Sequence, residues 1–170
     1  DGSDIQAGDI LIALPSSGLH SNGFSLARKI FEKHSLDKVF PELGETLGEA
    51  LLRPTRIYVR PILKLLAESR ILGMAHITGG GLTENLPRIL PPGLGIQLDS
   101  AAWERPPIFT LMQKLGDVAW PEMYRTFNMG IGYVLIVRAE DEQLISQKLA
   151  EMEEKSFVIG RVVKGEGVAY

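Results

Sequence analysis

Three consecutive glycines, Gly79, Gly80 and Gly81, separate a short apolar run, Ile71 to Ile77, from a second that starts at Leu82. Glycine reaches backbone angles closed to other residues, but each one costs conformational entropy when it is ordered. Stability alone would not select three in a row. The pattern predicts a strand, a glycine loop and then the start of a short helix carrying Thr83 and Asn85, which Pro91-Pro92 ends. Such a loop either turns the chain tightly or aims backbone N–H groups at an anion, with the positive end of a helix macrodipole behind them. No Gly-Lys-Ser/Thr follows, so it is not a Walker loop, and its spacing differs from the dinucleotide fingerprint G-x-G-x-x-G.

On either side the chain alternates between two apolar periods. Ile10 to Leu14, bounded by Gly8-Asp9 and Pro15, reads as a buried strand. The loop Ser16 to Gly23 follows, and then Phe24, Ala27, Ile30 and Phe31 recur at helical spacing, so a helix begins near Ser21 to Ser25 with serine or asparagine as its cap. Residues 34 to 52 are irregular, with at most a short helix at Leu47 to Leu52. Pro54 introduces a second clear helix, whose Val59, Ile62, Leu63, Leu66 and Ala67 fall on one face expected to be core. Leu94 to Leu98 reads as a strand, Pro106-Pro107 opens a helix through Leu115, and a short amphipathic piece spans Pro121 to Phe127. The turn Phe127-Asn128-Met129-Gly130-Ile131-Gly132 enters a strand through Val137, its glycines marking a bulge or a close backbone approach. Asp141 is the expected cap of a last helix with Ile145, Leu149 and Met152 inward, and Phe157 to Val163 is the last strand. Strands and helices alternate with unequal crossovers, which predicts an α+β fold: a layered α/β/α sandwich with a mixed β-sheet.

At 170 residues and 45% hydrophobic content the chain is expected to be one domain, residues 1–170, with a sizeable core. A net charge of −3 without runs of like charge disfavours nucleic-acid and anionic-membrane partners. No apolar run reaches the ~18 residues of a membrane span. The absence of cysteine removes disulfides, thiolate metal sites and cysteine nucleophiles, and is compatible with a cytoplasmic location. The polar lead Asp1 to Asp9, without an initiator methionine, is expected of a fragment cut at a domain boundary.

No complete catalytic machine is spelled out. Ser16-Ser17 lacks a nucleophile elbow, and the three histidines are not spaced as metal ligands, so no metal site is expected in this chain. His34 sits at a helix end. His20 and His76 both lie where a strand passes into a glycine-containing loop, as buried structural histidines or as the two sides of one cleft. Arg88 is either a phosphate clamp or half of a surface ion pair. Asn22, Asn85 and Asn128 flank glycines, where asparagine caps turns or presents its amide to a ligand.

Four segments in order, residues 17–26 (Ser-Gly-Leu-His-Ser-Asn-Gly-Phe-Ser-Leu), 51–58 (Leu-Leu-Arg-Pro-Thr-Arg-Ile-Tyr), 76–88 (His-Ile-Thr-Gly-Gly-Gly-Leu-Thr-Glu-Asn-Leu-Pro-Arg) and 127–132, closely resemble aminoimidazole ribonucleotide synthetase. That family, also called phosphoribosylformylglycinamidine cyclo-ligase, belongs to a wider ATP-dependent superfamily with formylglycinamidine ribonucleotide synthetase, selenophosphate synthetase, thiamine monophosphate kinase and a hydrogenase-maturation protein. The resemblance spans the chain and corresponds to the family's C-terminal domain. It implies the superfamily's C-terminal domain fold and a part in de novo purine biosynthesis. The parent reaction uses ATP and magnesium to activate the formyl amide oxygen of formylglycinamidine ribonucleotide, after which a neighbouring nitrogen closes the imidazole ring.

The family's ATP signature, an aspartate followed after four residues by Gly-Ala-x-Pro, has no match here. The resemblance therefore implies half an enzyme: a ribonucleotide-binding domain that binds no ATP or magnesium by itself and is inactive alone. Its partners would be the missing N-terminal ATP-binding domain and, in the full-length enzyme, a second copy in a homodimer. Carried over by position, the implied catalytic residues are His76 and His20. The implied substrate-binding residues are Ser21, Asn22, Thr78, Gly79, Gly80, Gly81 and Asn85, with Asn128 and Gly130 from the last turn. A catalytically silent module that binds a phosphate ligand on the same fold is the alternative.

Overall fold

The computed structural model describes residues 2–170. In chain order the elements are β1 (Ile10–Pro15), α1 (Phe24–Phe31), α2 (Leu47–Leu52), α3 (Val59–Glu68), β2 (Gly73–His76), α4 (Gly81–Asn85), β3 (Leu94–Leu98), α5 (Pro107–Gly116), α6 (Trp120–Thr126), β4 (Ile131–Val137), α7 (Glu142–Glu151), β5 (Phe157–Lys164) and β6 (Val168–Ala169). The six strands form one sheet in the order β2-β4-β1-β5-β3-β6. Every neighbouring pair is antiparallel except β3 and β6, so the sheet is mixed, as expected.

Helices cover the sheet on both faces. Successive residues of a strand point to opposite faces, and β1 sends Leu11 and Ala13 into one cluster and Ile12 and Leu14 into the other, all four fully buried. That double burial is why β1 reads as an unbroken apolar run and not as an alternating one. The larger cluster packs α1, α5 and α6 through Ala27, Phe31, Phe109, Met112 and Met123, while the smaller packs α3 and α7 through Ile62, Leu65, Ile145 and Leu149.

Four local expectations are corrected. Helix α1 begins after Gly23, whose backbone is left-handed and which makes no side-chain cap, so neither serine nor asparagine caps it. Asp141 precedes α7 without a capping hydrogen bond. The helix expected after Pro54 starts only at Val59, because residues 53–57 run irregularly beneath the first loop, where Arg56 donates to Pro15 O at 3.2 Å. Finally, α3 does not bury the face the spacing suggests. Ile62 and Leu65 are buried, but Val59, Leu63 and Leu66 are 59%, 61% and 41% exposed. The apolar arc of this helix is wider than the strip the sheet covers.

In the irregular stretch, Thr46 and Glu49 form a reciprocal capping box that starts α2. Glu49 N–H donates to Thr46 Oγ1 at 3.2 Å and Thr46 N–H to Glu49 Oε2 at 2.9 Å, satisfying two otherwise free donors.

Candidate active site

Strands β1 and β2 both run antiparallel to β4, so both end at the sheet edge where β4 begins. That topology brings together the loop after β1, the glycine loop after β2 and the turn before β4. Pairing of His76 and Leu14 with Tyr133 places all three on one face, at the strand ends.

The two histidines meet there with ring centroids 6.4 Å apart, in unlike environments. His20 is 5% exposed and holds a left-handed backbone with φ 58. Its Nε2 accepts the Ser17 N–H at 3.1 Å and, at longer range, the Arg56 N–H at 3.5 Å. An imidazole nitrogen that accepts carries no proton, so the neutral ring is protonated at Nδ1, and that buried atom has no partner. Burial, then the His76 ring, then the Arg56 cation lower the His20 pKa from 6.5 to about 4. His76 is exposed. Its ring stacks on Tyr133 (6.0 Å, 25°) and meets Tyr58 edge-on (6.0 Å, 60°).

Tyr58 completes this aromatic wall. Its hydroxyl donates to Pro15 O at 2.8 Å, and burial pushes its pKa well above the ordinary tyrosine value. Gly132 makes the arrangement possible, because a Cβ there would run into the Tyr58 hydroxyl and lie 2.7 Å from His20 Cε1. Of the two readings open for the glycines of this turn, close approach describes Gly132. Arg56 pairs with Glu154 and lies over the Tyr58 ring at 5.5 Å. A cavity of about 340 Å³ opens beside the wall, lined by Ile57, Val59 and Leu63 together with Tyr58, Ile62, His76 and Tyr133.

The glycine loop adjoins on the other side. The Asn22 side-chain oxygen lies 3.9 Å from where a Cβ of Gly79 would sit, so the first loop runs beside the second. Gly81 N–H donates to Thr78 O at 3.1 Å, whereas the N–H groups of Gly79 and Gly80 find no acceptor among the described residues. Gly81 has φ 57, and a Cβ on it would strike Tyr124 O, so no larger residue fits there. Asn85 is buried beneath the loop. Its Nδ2 donates to Gly79 O at 3.0 Å and Gly81 O at 2.8 Å, while its Oδ1 accepts from Thr78 Oγ1 at 3.2 Å.

Asn128 does for the first loop what Asn85 does for the second. It is fully buried, donates to Gly18 O at 2.8 Å, and accepts from Ser16 Oγ at 3.0 Å and Gly130 N–H at 2.9 Å. Gly130 lines a separate cavity with Ser16, Arg105 and Lys155. The candidate residues thus divide by position. His76, Ser21 and Gly79 are exposed at the edge, with Asn22 and Gly80 partly so and His20 just beneath, while Thr78, Gly81, Asn85, Asn128 and Gly130 make the contacts that hold the loops. Ser21 shares a shallow cavity of about 490 Å³ with His20, Arg28 and Arg53. Arg88 pairs with Glu84 at 3.9 Å, both side chains exposed.

Tyr58, Tyr133, Arg56 and Gly132 were not singled out by sequence reasoning. Tyr58 closes the segment Arg-Ile-Tyr, and Gly132 the segment Gly-Ile-Gly. Both stood in recognised motifs; the close-approach reading of the turn covered Gly132 without naming what approaches it, and Tyr58 carried no signal for its role.

The fold recurs in solved structures of low sequence identity. Escherichia coli HypE, a hydrogenase maturation protein, superposes with a TM-score of 0.62 at 17% identity, covering 99% of this chain and 47% of that one. Thiamine-monophosphate kinase from Stenotrophomonas maltophilia K279a gives 0.63 at 18% identity over 96% of this chain and 50% of that one. The architecture is therefore the α+β domain these proteins share as about half of their length. Residues 6–170 match the family model described as AIR synthase related protein, C-terminal domain, and the chain belongs to that family. Among curated relatives, the phosphoribosylformylglycinamidine cyclo-ligase of Desulfitobacterium hafniense (strain DSM 10664 / DCB-2) is 63% identical over 171 residues, covering 100% of this chain and 50% of that protein. The protein of that name from Geobacillus sp. (strain WCH70) is 52% identical over 172 residues, covering 99% of this chain and 50% of its own length. The chain spans about half the length of these relatives.

Proposed function

We propose that the full-length protein is an ATP-dependent cyclo-ligase of purine biosynthesis, closing the imidazole ring of aminoimidazole ribonucleotide from formylglycinamidine ribonucleotide, and that this chain is its substrate-binding C-terminal half. The observation that carries the reading is the 63% identity, across the whole chain, to a relative bearing the cyclo-ligase name. The edge geometry supports it. Ring closure removes a proton from the attacking nitrogen, and His76, exposed beside an aromatic wall, is the group we assign to accept it. The N–H groups of Gly79 and Gly80 are assigned to the ribonucleotide phosphate, with Asn22 and Ser21 beside them. Asn85 and Asn128 position the two loops. Buried and with Nε2 occupied, His20 offers only its Nδ1–H and serves mainly to shape the cleft.

When bound, ATP would supply the phosphoryl group with which the formyl oxygen leaves as phosphate. We assign ATP and magnesium to an N-terminal half, as the resemblance implies, and derive no step through them here. No three His, Asp or Glu side chains among the described residues gather where they would hold a metal ion. No helix among the described residues is long and apolar enough to cross a membrane. A cytoplasmic homodimer is the setting we propose. The deciding experiment measures ring closure by full-length protein and by this chain alone. Turnover by the former and none by the latter is expected, and its absence from correctly folded full-length protein would remove the reading.

A further inference from the structure

Helix α4 follows directly on the glycine loop and is only five residues long, too short to persist in water without contacts from elsewhere. Two of those contacts come from α6. Glu84 pairs with Arg125 at 3.2 Å, and the Gly81 backbone passes so close to Tyr124 O that no Cβ fits between them. A third comes from far along the chain. Tyr170, the residue after β6, lays its ring against Tyr124 with centroids 4.3 Å apart, and its hydroxyl lies 2.7 Å from Thr83 Oγ1 on α4. Burial pushes the Tyr170 pKa up to about 12, so this hydroxyl is a neutral partner for Thr83 at ordinary pH. Strand β6 pairs with β3 at one edge of the sheet, whereas α4 follows β2 at the other. One side chain therefore ties the glycine-loop helix to the opposite edge.

We propose that Tyr170 is a positioning residue for the ribonucleotide: through Thr83 it fixes α4, and with it the backbone that carries the Gly79 and Gly80 N–H groups. The proposal rests on the cyclo-ligase reading for the identity of the ligand. Closing the sheet edge would need only an apolar ring packed on Tyr124. The hydroxyl adds a directed bond to a side chain of α4, and a bond of that kind sets where the helix stands along its seam with α6. Tyr170 touches Thr83 and Tyr124, whereas His76 is set among Tyr133, Tyr58 and His20. The brace therefore bears on ligand binding and not on proton transfer, so its loss raises KM and spares kcat.

The test uses full-length protein with Tyr170→Phe, which keeps the ring and removes only the hydroxyl, and independently Thr83→Val, which removes the oxygen it meets. Either variant is expected to raise KM for formylglycinamidine ribonucleotide about fivefold, the scale of one neutral hydrogen bond. Turnover at saturation should stay within ~2-fold, whereas a merely structural role would lower the active fraction and leave KM alone. The double variant should be no worse than either single one, because both delete the same bond. Thr83→Ser keeps the hydroxyl and is expected to bring KM back to within ~2-fold of the unaltered protein. In ligand-free protein, amide exchange of the peptide spanning Ile77 to Leu86 should speed up in Tyr170→Phe. An unchanged KM in both single variants overturns the proposal, as does faster exchange confined to β3 and β6. If the unaltered full-length protein shows no ring closure, the functional reading falls by itself, and exchange of the loop peptide still decides whether Tyr170 braces it.

Discussion

His20 and His76 face each other across 6.4 Å, yet the first is buried with its Nε2 held by backbone N–H groups and the second stands open beside Tyr133. Sequence position made them look alike, each where a strand passes into a glycine-containing loop. Their surroundings give them different work, and each difference is measurable.

For His76, truncation removes an exposed ring whose neighbours are the rings of Tyr133, Tyr58 and His20. In the full-length enzyme His76→Ala is expected to lower turnover by roughly 10²-fold or more, the usual scale for a positioned proton-transfer group. The denaturant midpoint should barely move. A midpoint that falls sharply while turnover per folded molecule is kept would make His76 a structural residue.

For His20, the consequence is a pH dependence of stability. Its pKa in the fold is lowered from 6.5 to about 4. Below pH 6.5 the unfolded chain binds a proton at this site that the folded chain refuses until about pH 4. The unfolded state therefore carries more protons across that window, and stability falls as pH drops through it. The full effect is on the order of 3 kcal/mol at most. His20→Gln has no titrating group there, so the loss of stability between pH 7 and 4.5 should be smaller in the variant, with His34 and His76 common to both. Equal pH slopes would show that His20 titrates normally.

Gly132 gives the third test. Adding a methyl there drives Cβ into the Tyr58 hydroxyl and against His20 Cε1, and overpacking of this kind costs about 1–3 kcal/mol. Tyr58→Phe alone should cost about 1 kcal/mol for the lost hydrogen bond to Pro15 O. Because the deleted oxygen is the atom in the way, Gly132→Ala should cost less in the Tyr58→Phe background. Strict additivity in urea titrations of the four proteins would mean that the clash is relieved elsewhere.

How far the sequence foretold this site depends on the range of the interactions. Leu11 to Leu14 announced a doubly covered strand because burial on both faces leaves no polar alternation to confuse it. The α2 cap was also written locally, as Thr46 and Glu49 three residues apart, though the glycines around it drew attention away. What local pattern does not carry is who covers what. The apolar arc of α3 is real, but the sheet covers only the strip at Ile62 and Leu65. Tyr58 follows an irregular segment without periodicity, so nothing nearby marks it as a wall of the cleft. Asn128 bonds to Gly18, 110 residues away, and a flanking glycine shows only that an asparagine is near a turn.

Asn85 separates bracing from ligand contact in the glycine loop. Its amide holds Gly79 O and Gly81 O, which fixes the backbone that carries the Gly79 and Gly80 N–H groups. In Asn85→Ala, ordering the loop must be done by the ligand, at about 1–2 kcal/mol per residue fixed. Phosphate or substrate should then bind at least ~10-fold more weakly, since about 1.4 kcal/mol is a factor of ten. Stability should fall by about 1–3 kcal/mol from the carbonyls left buried without a donor. If the side chain instead touches the ligand, affinity falls but the empty loop stays as it was. Amide exchange at Gly79 and Gly80 in ligand-free protein distinguishes the two: bracing requires that exchange speed up in Asn85→Ala before any ligand is added, and unchanged exchange with weakened binding would place Asn85 in contact with the phosphate.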